Sequence, residues 1–341
     1  MGDDAPVRVA INGFGRIGRT ALRLALDDKR IEVVAINDLA DSSMILHQLK
    51  YDSTHGVFPG QIALHGERLV VNGRSIRLLR QTEPEELPWF EEGVDIVIEA
   101  TGRFTSRAAA AAHLRAGARR VVISAPSADA DISLVLGVNH HQYDPLRHTV
   151  ISNASCTTNG LAPLLKVLDD TFGIRKGFMT TVHPYTNNQS LLDSPHPDLR
   201  RARASALSMI PTTTSAIRAV IQVMPELAGR IDGLAIRVPT AAVADIDLAV
   251  ELEQSVDSLR VNDAFRRAAR GSLKGIIGVT DEPLVSADFR GIRYSAVLDA
   301  SCTRVVGGNL VKLIAWYDNE TGYSGRLIDL ISLLGAVSAD T

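Results

Sequence analysis

Cys156 stands in the run S-N-A-S-C-T-T-N, between a segment that reads as strand and one that reads as helix. A thiol at a helix N-terminus meets free backbone N–H groups and the positive end of the helix dipole, which favour the nucleophilic thiolate. Its neighbours Ser155, Thr157, Thr158 and Asn159 are polar, which is wrong for a cysteine buried as a small apolar residue, the commoner fate of a lone thiol. His183 ends the apolar stretch T-T-V and opens the turn-like run P-Y-T-N-N-Q. A histidine there can take the proton of a thiol and later protonate an alkoxide; a solvent-facing loop histidine is the plainer reading. Arg237, between Ile236 and Val238, is a cation inside an otherwise apolar strand and needs an anionic partner. Arg200, Arg201 and Arg203 form a basic run, and Pro211 to Ser215 a run rich in hydroxyls. These could hold phosphate groups, or be a solvated helix face and a polar turn. Cys302 has no comparable setting. His47, His55, His113, His140, His141, His148 and His196 show no metal-ligand spacing, so no metal is expected.

A second chemical signal precedes these. Residues 13–18 read G-F-G-R-I-G, and Asp38 follows twenty residues after Gly18. The glycines close a strand, Val7 to Ile11, and open a helix, with the acid at the end of a second strand, Glu32 to Ile36. That is the full context of a dinucleotide site. Gly13 permits the turn, Gly15 lets backbone approach a pyrophosphate, and Gly18 lets the helix pack on the strand. The helix N-terminus attracts the phosphates. Asp38 accepts hydrogen bonds from a ribose diol and repels a 2′-phosphate, so NAD is expected over NADP.

The elements that must position these residues fall into two textures. The first 150 residues alternate strand and helix: Val94 to Ile98, Val121 to Ser124 and Thr149 to Ser152 read as strands and Ser106 to Ala116 as helix. This predicts an α/β Rossmann-type, doubly wound parallel sheet. After Cys156, Leu161 to Leu168 reads as helix. Gly177 to His183, Gly233 to Val238, Asp245 to Leu252 and Asn309 to Tyr317 read as longer strands with few helices between. That predicts an α+β domain with a largely antiparallel sheet. The boundaries expected are 1–152 for the NAD-binding domain and 153–322 for the catalytic domain, with a helix from Tyr323.

The bulk properties limit the partners. The chain has 341 residues, enough for two domains, with 45% hydrophobic and 22% charged residues. A formal net charge of −3 gives no basic excess for nucleic acid. Two cysteines make no disulfide framework and point to a reducing compartment. Met1 to Pro6 lacks the apolar core of a signal peptide, and Pro6 breaks a myristoylation pattern after Gly2. No apolar run reaches the ~20 residues of a membrane span. A cytoplasmic protein is expected.

Along nearly its whole length the chain resembles phosphorylating glyceraldehyde-3-phosphate dehydrogenases. The matching runs are I-N-G-F-G-R-I-G, I-N-D-L, K-Y-D-S-T-H-G, A-T-G-R-F, S-N-A-S-C-T-T-N, D-L-R-R-A-R, R-V-P-T and W-Y-D-N-E-T-G-Y-S, in that order. The resemblance implies that Cys156 attacks an aldehyde with His183 as base, that hydride passes to NAD, and that phosphate releases the thioester. The Cys156 N–H and the His183 side chain would stabilise the oxyanion. It implies Ser155, Thr157, Thr214 and Ser215 around inorganic phosphate, and Thr186 and Arg237 around the substrate's phosphate. Asn12, Gly13, Gly15, Arg16, Ile17, Gly18, Asp38 and Ser124 would hold NAD, with Asn319 on the nicotinamide amide. It implies a homotetramer whose C-terminal helix, 323–341, packs back on the cofactor domain.

The departures are local. Gly160 replaces the second cysteine of the family's C-T-T-N-C. Asn188 replaces an acid beside the substrate-phosphate residues, and Pro184 is unusual in that loop. Ser215 stands where glycine is usual and is expected to weaken inorganic phosphate binding; Arg218 stands for a common lysine. Pro195 resembles NAD-selective members, while the small Ser194 allows weak NADP use. The alternatives are an erythrose-4-phosphate dehydrogenase, whose pattern lacks the Tyr185-Thr186 pair kept here, a paralogue for another aldehyde, or a non-catalytic binding or redox-sensing protein on the same scaffold.

Overall fold

The computed structural model describes residues 5–339. The Met1–Asp4 stretch and the last two residues of the expected C-terminal helix lie outside them. The described residues form two compact units, one made of 5–134, 141–154 and 324–339, the other of 135–140 and 155–323.

The first unit opens with β1 (Val7–Asn12), α1 (Arg16–Ala25), β2 (Ile31–Asn37) and α2 (Ser42–Lys50). A small ribbon, β3 (Tyr51–Asp52) and β4 (Gly56–Val57), leads to β5 (Ile62–His65), β6 (Arg68–Val71) and β7 (Arg74–Leu79). Then come β8 (Ile96–Glu99), α3 (Arg107–Ala110), α4 (Ala112–Arg115), β9 (Arg120–Ile123), β10 (Ile132–Ser133) and β11 (Val150–Ser152). The strands order as β10-β11-β9-β8-β1-β2-β7-β6-β5. From β10 to β7 every pairing is parallel; β5 and β6 add an antiparallel edge. This is the expected doubly wound sheet, plus a meander that strand-helix alternation did not suggest. The continuous apolar runs of β1, β2 and β8 are buried along most of their length, as parallel strands covered on both faces must be. The chain leaves β1 toward β2 and later returns to its other side as β8. Ligands of such sheets bind at the carboxyl ends of strands where the winding reverses. The helix expected over Ser106 to Ala116 is present as two short pieces, the first capped by Ser106 Oγ on the Ala109 N–H.

The second unit begins with α5 (Cys156–Phe172), β12 (Ile174–Pro184) and β13 (Ile210–Thr212). α6 (Ala216–Val223), β14 (Ile231–Val238), β15 (Ala244–Leu252) and α7 (Ser258–Arg270) follow. β16 (Ile277–Thr280), β17 (Ala296–Asp299), β18 (Arg304–Val306) and β19 (Leu310–Tyr317) complete it, before α8 (Thr321–Ala339). Its sheet runs β13-β14-β12-β15-β19-β17-β16, with β18 against β19; only β12–β14 and β16–β17 are parallel. Period-two patterning sets the register. In β15, Ala244, Ile246, Leu248, Val250 and Leu252 are buried, while the residues between them are partly open. α5 lays Leu161, Leu164, Leu165 and Leu168 into the core, all fully buried; each side chain contributes roughly 1.5–3 kcal/mol. α6 and α7 were not legible as helices in the sequence.

From Ser324 on, α8 belongs to the first unit. Ser332 Oγ lies 3.4 Å from Asp28, and a Cβ at Gly335 would fall 2.0 Å from a Val7 methyl, so bare backbone is needed there.

Candidate active site

In the first unit the turn from β1 into α1 explains its three glycines separately. Gly13 has φ +93°, and a Cβ on it would meet the Thr101 backbone N at 2.7 Å. A Cβ on Gly18 would sit 2.2 Å from the Gly13 carbonyl, so helix and strand touch there. At Gly15 no atom beyond its chain neighbours and its own helix backbone lies within 4 Å of that position, so the backbone there is open to close approach. Gly15 begins α1 with no side-chain cap, so the first N–H groups keep their capacity for an anion. Beside this turn opens a cavity of about 270 Å³ lined by Gly13, Gly15, Asp38, Gln81, Thr101 and Phe104 among others. Asp38 accepts hydrogen bonds from the Phe14 N–H at 2.7 Å and the Ala40 N–H at 2.9 Å. That aims its carboxylate at the cavity and leaves lone pairs for hydroxyls. Arg16 Nη1 is paired with Asp52 at 2.6 Å, so the charge of Arg16 is already matched inside the protein. Ser124 directs both its N–H and its hydroxyl to the Glu99 carbonyl. These residues fit a dinucleotide.

In the second unit Cys156 is the first residue of α5, whose cap is Ser155: the Ser155 Oγ accepts the Thr158 N–H at 3.0 Å. His183 comes from the end of β12, and its Nε2 lies 3.6 Å from the Cys156 Sγ. β14 runs parallel to β12 in a register that sets Arg237 opposite His183. The Arg237 Nη1 is 2.6 Å from His183 Nδ1 and 3.0 Å from the Pro184 carbonyl, which itself lies 2.8 Å from Nδ1. Nδ1 thus has an acceptor and a donor within reach. Donation from Nδ1 to Pro184 leaves Nε2 free to accept a proton; donation from Arg237 into Nδ1 puts the proton on Nε2. Tyr317, from β19, is fully buried behind the pair, its hydroxyl bonded to Thr157 at 2.8 Å and Thr181 at 2.9 Å, its ring edge-on to His183.

The electrostatics differ from the expectation at Cys156. The helix terminus was expected to favour the thiolate. Dense surrounding protein pushes the thiol up instead, and the Arg237 charge and the bonds with Thr157 offset this only partly. Burial, then Arg237, lowers His183 to about 3. Both shifts favour the uncharged forms, a thiol beside an imidazole. Burial lowers Arg237 as well, and no carboxylate is among the groups that act on it. Its Nε is buried with no hydrogen-bond partner. The anionic partner anticipated for this arginine is not supplied by the described residues.

The hydroxyls expected around phosphate are unequally placed. Ser155 caps α5, and Thr157 points inward to Tyr317. Thr214 Oγ1 accepts the Ala216 N–H at 3.1 Å, which leaves its own proton to donate. Thr186 lies in the loop after β12, its N–H bonded to Gln189. Ser215 is exposed at the start of α6 with φ −79° and does not cap the helix. Arg201 is tied to Thr212 and Asp198. Gly160 has a packing reason: a Cβ there would meet an Ile246 methyl at 2.9 Å and the Ser295 carbonyl at 3.1 Å. Asn319 Oδ1 accepts the N–H of Val243, which is held at φ +68°. A β-branched residue in the left-handed region is a strained outlier. Nothing in the residue types announced it, nor the part played by Tyr317.

Known proteins supply the remaining comparison. Residues 7–107 match the family model of the glyceraldehyde 3-phosphate dehydrogenase NAD binding domain, and residues 155–319 that of the C-terminal domain. The chain is 55% identical over 330 residues to the glyceraldehyde-3-phosphate dehydrogenase of Geobacillus stearothermophilus, covering 97% of this chain and 98% of that one. It is 54% identical over 328 residues to glyceraldehyde-3-phosphate dehydrogenase 1 of Bacillus subtilis, covering 96% and 98%. With the Streptomyces coelicolor enzyme it shares 51% over 331 residues, covering 96% and 98%. The chain belongs to the glyceraldehyde-3-phosphate dehydrogenase family, as an NAD-dependent enzyme with a Rossmann-type cofactor domain and an α+β C-terminal domain.

Proposed function

We propose that this enzyme oxidises glyceraldehyde 3-phosphate to 1,3-bisphosphoglycerate through a thioester on Cys156, with His183 as proton carrier. The observation that carries the reading is Arg237: a half-buried cation without a carboxylate, touching the histidine that faces the thiol. A phosphorylated aldehyde supplies the missing anion and by the same contact brings its carbonyl to Cys156. Thr186 joins Arg237 on that phosphate.

When the substrate phosphate engages Arg237, His183 Nδ1 turns its proton to the Pro184 carbonyl. Nε2 then accepts the thiol proton as sulfur bonds to the aldehyde carbon. The Cys156 N–H, at the start of α5, faces the oxygen that gains charge. Bound NAD supplies the acceptor for the hydride that leaves this carbon. His183 hands the thiol's proton to this oxygen and takes it back as the hydride leaves, and a thioester remains. Inorganic phosphate, held by Thr214 with Ser155, Thr157 and Ser215 nearby, attacks the thioester carbon. The carbon–sulfur bond breaks, Cys156 takes back the proton that His183 holds, and the acyl phosphate leaves. Asn12, Gly13, Gly15, Ile17, Gly18, Asp38 and Ser124 hold NAD, Arg16 through its backbone, and Asn319 the nicotinamide amide. Asp38 favours NAD over NADP.

The segment between β12 and β13 supports a homotetramer. Leu191, Leu192, Leu199, Leu207 and Met209 are each at least 70% exposed in a single chain, apolar surface that partner copies would cover. No helix among the described residues is long and apolar enough to cross a membrane. The test is NADH formation with glyceraldehyde 3-phosphate, with and without phosphate, beside erythrose 4-phosphate. Phosphate-dependent turnover that prefers glyceraldehyde 3-phosphate is expected. Phosphate independence, or preference for the four-carbon sugar, overturns the reading.

A further inference from the structure

Glu99, at the carboxyl end of β8, is 1% exposed, and both its oxygens are saturated. Oε1 accepts from the Thr101 N–H at 2.9 Å and from the Thr101 hydroxyl; Oε2 accepts from Asn12 Nδ2 at 2.6 Å and lies 3.0 Å from His113 Nε2. The histidine's tautomer is fixed from its other side. Trp89 Nε1, which can only donate, lies 2.9 Å from His113 Nδ1. Nε2 therefore carries the proton and donates to Glu99. His113 and Trp89 are fully buried.

The carboxylate has no hydrogen to offer, so every group facing it must present a donor. Asn12 turns its NH2 to Glu99, and its Oδ1 then accepts from Asn37 Nδ2 at 2.7 Å. Asn37 in turn accepts the Gln81 N–H at 2.8 Å and donates to the Gln81 carbonyl at 2.9 Å. Asn12, Asn37, Gln81 and Thr101 all line the 270 Å³ cavity beside Asp38. One buried charge thus sets which way each amide points along the cavity floor, across the ends of β1, β2, β7 and β8.

We propose that Glu99 is a positioning residue for the adenosine half of NAD: it touches no ligand, and its charge fixes the donor and acceptor pattern of the floor on which that half rests. The proposal rests on the reading of this cavity as the adenosine site.

The test is calorimetric binding of ADP-ribose to the full-length wild type, Glu99→Gln and Glu99→Asp. Glutamine keeps the shape but turns an NH2 toward groups that are themselves donors. The Kd for ADP-ribose is expected to rise about thirtyfold. Aspartate keeps the charge one methylene short and should give a smaller rise, of about fivefold; it decides the matter if Glu99→Gln does not fold. At saturating NAD, kcat should stay within about threefold of wild type, so the loss appears in KM. Iodoacetamide alkylation of Cys156 in the cofactor-free protein should be unchanged. Wild-type Kd in the folded variants, or kcat falling in parallel with affinity, overturns the inference alone. A wild type that does not bind ADP-ribose overturns the adenosine reading itself.

Discussion

The two sites are built on opposite principles. In the proposed cofactor cradle the buried polar groups answer one another: Glu99 accepts four hydrogen bonds, Asp38 accepts two backbone N–H groups, and Arg16 is paired with Asp52. In the cluster around Cys156 the accounts are left open. Arg237 has no carboxylate and an orphaned Nε, His183 is driven neutral, and the thiol is pushed up. A floor that must receive the same ligand every time gains from saturation, because its geometry is fixed before binding. A cluster that must exchange protons and take an anion gains from groups whose best partner has not arrived.

The contrast predicts which changes are severe. Cys156→Ser removes the nucleophile from the open cluster and leaves the cradle intact. We expect kcat to fall at least about a thousandfold, as for other nucleophiles that act as a unit with a base, with the Kd for NAD unchanged. Retained turnover in a burst assay ends the thioester route. The next largest effect is at Arg237. If its missing partner is the substrate phosphate, Arg237→Gln loses a charge-assisted contact of roughly 1.5–3 kcal/mol, so the KM for glyceraldehyde 3-phosphate rises roughly ten- to hundredfold. An unchanged KM would leave the arginine without its assigned partner.

The same contrast decides what was legible in the sequence. The cradle's backbone devices were, because Gly13, Gly15, Gly18 and Asp38 are dictated by local geometry at fixed spacing. The saturating network was not. Glu99, His113 and Trp89 come from a strand, a helix and a loop and meet only through packing, and each alone reads as an ordinary residue. In the second unit Cys156 and His183 stood out as residue types, and Arg237 through its misfit in an apolar strand. Tyr317 and the strained Val243 did not, since their roles depend on pairings between β12, β15 and β19 far apart in sequence. The direction of the thiol's shift was misjudged for a related reason. The helix terminus is a local feature, whereas the burial that outweighs it is set by the whole domain.

A third measurement probes the open cluster from the acid side. His183 titrates near 3 in the fold, against about 6.5 unfolded. Between these values the unfolded chain binds the extra proton, so this group's stabilising contribution is whole above pH 6.5 and is lost as pH falls toward 3. From pH 6.5 to 5 the wild type should lose about 2 kcal/mol through this group, a loss absent in His183→Asn. The observable is the gap between the two urea midpoints, which should narrow or reverse in acid. A gap that stays constant with pH means that His183 is protonated in the fold.

The smallest expected effect is at Ser215, where the family pattern has glycine. A glycine is demanded where φ is positive or where a Cβ would collide. Ser215 has φ −79°, open to any residue, and its side chain is exposed. Backbone conformation therefore gives glycine no advantage here. What remains is bulk beside the N–H groups at the start of α6, opposed by a hydroxyl that can itself donate to phosphate. These oppose each other, and the difference should be well below a full charge-assisted bond. We expect Ser215→Gly to lower the phosphate KM by about two- to threefold, since 1.4 kcal/mol would be needed for tenfold. The measurement is the phosphate KM at saturating aldehyde and NAD. An equal or higher KM in the glycine variant would make the serine hydroxyl a working phosphate ligand. It would also move Ser215 to the side of the molecule where polar groups already have their partners.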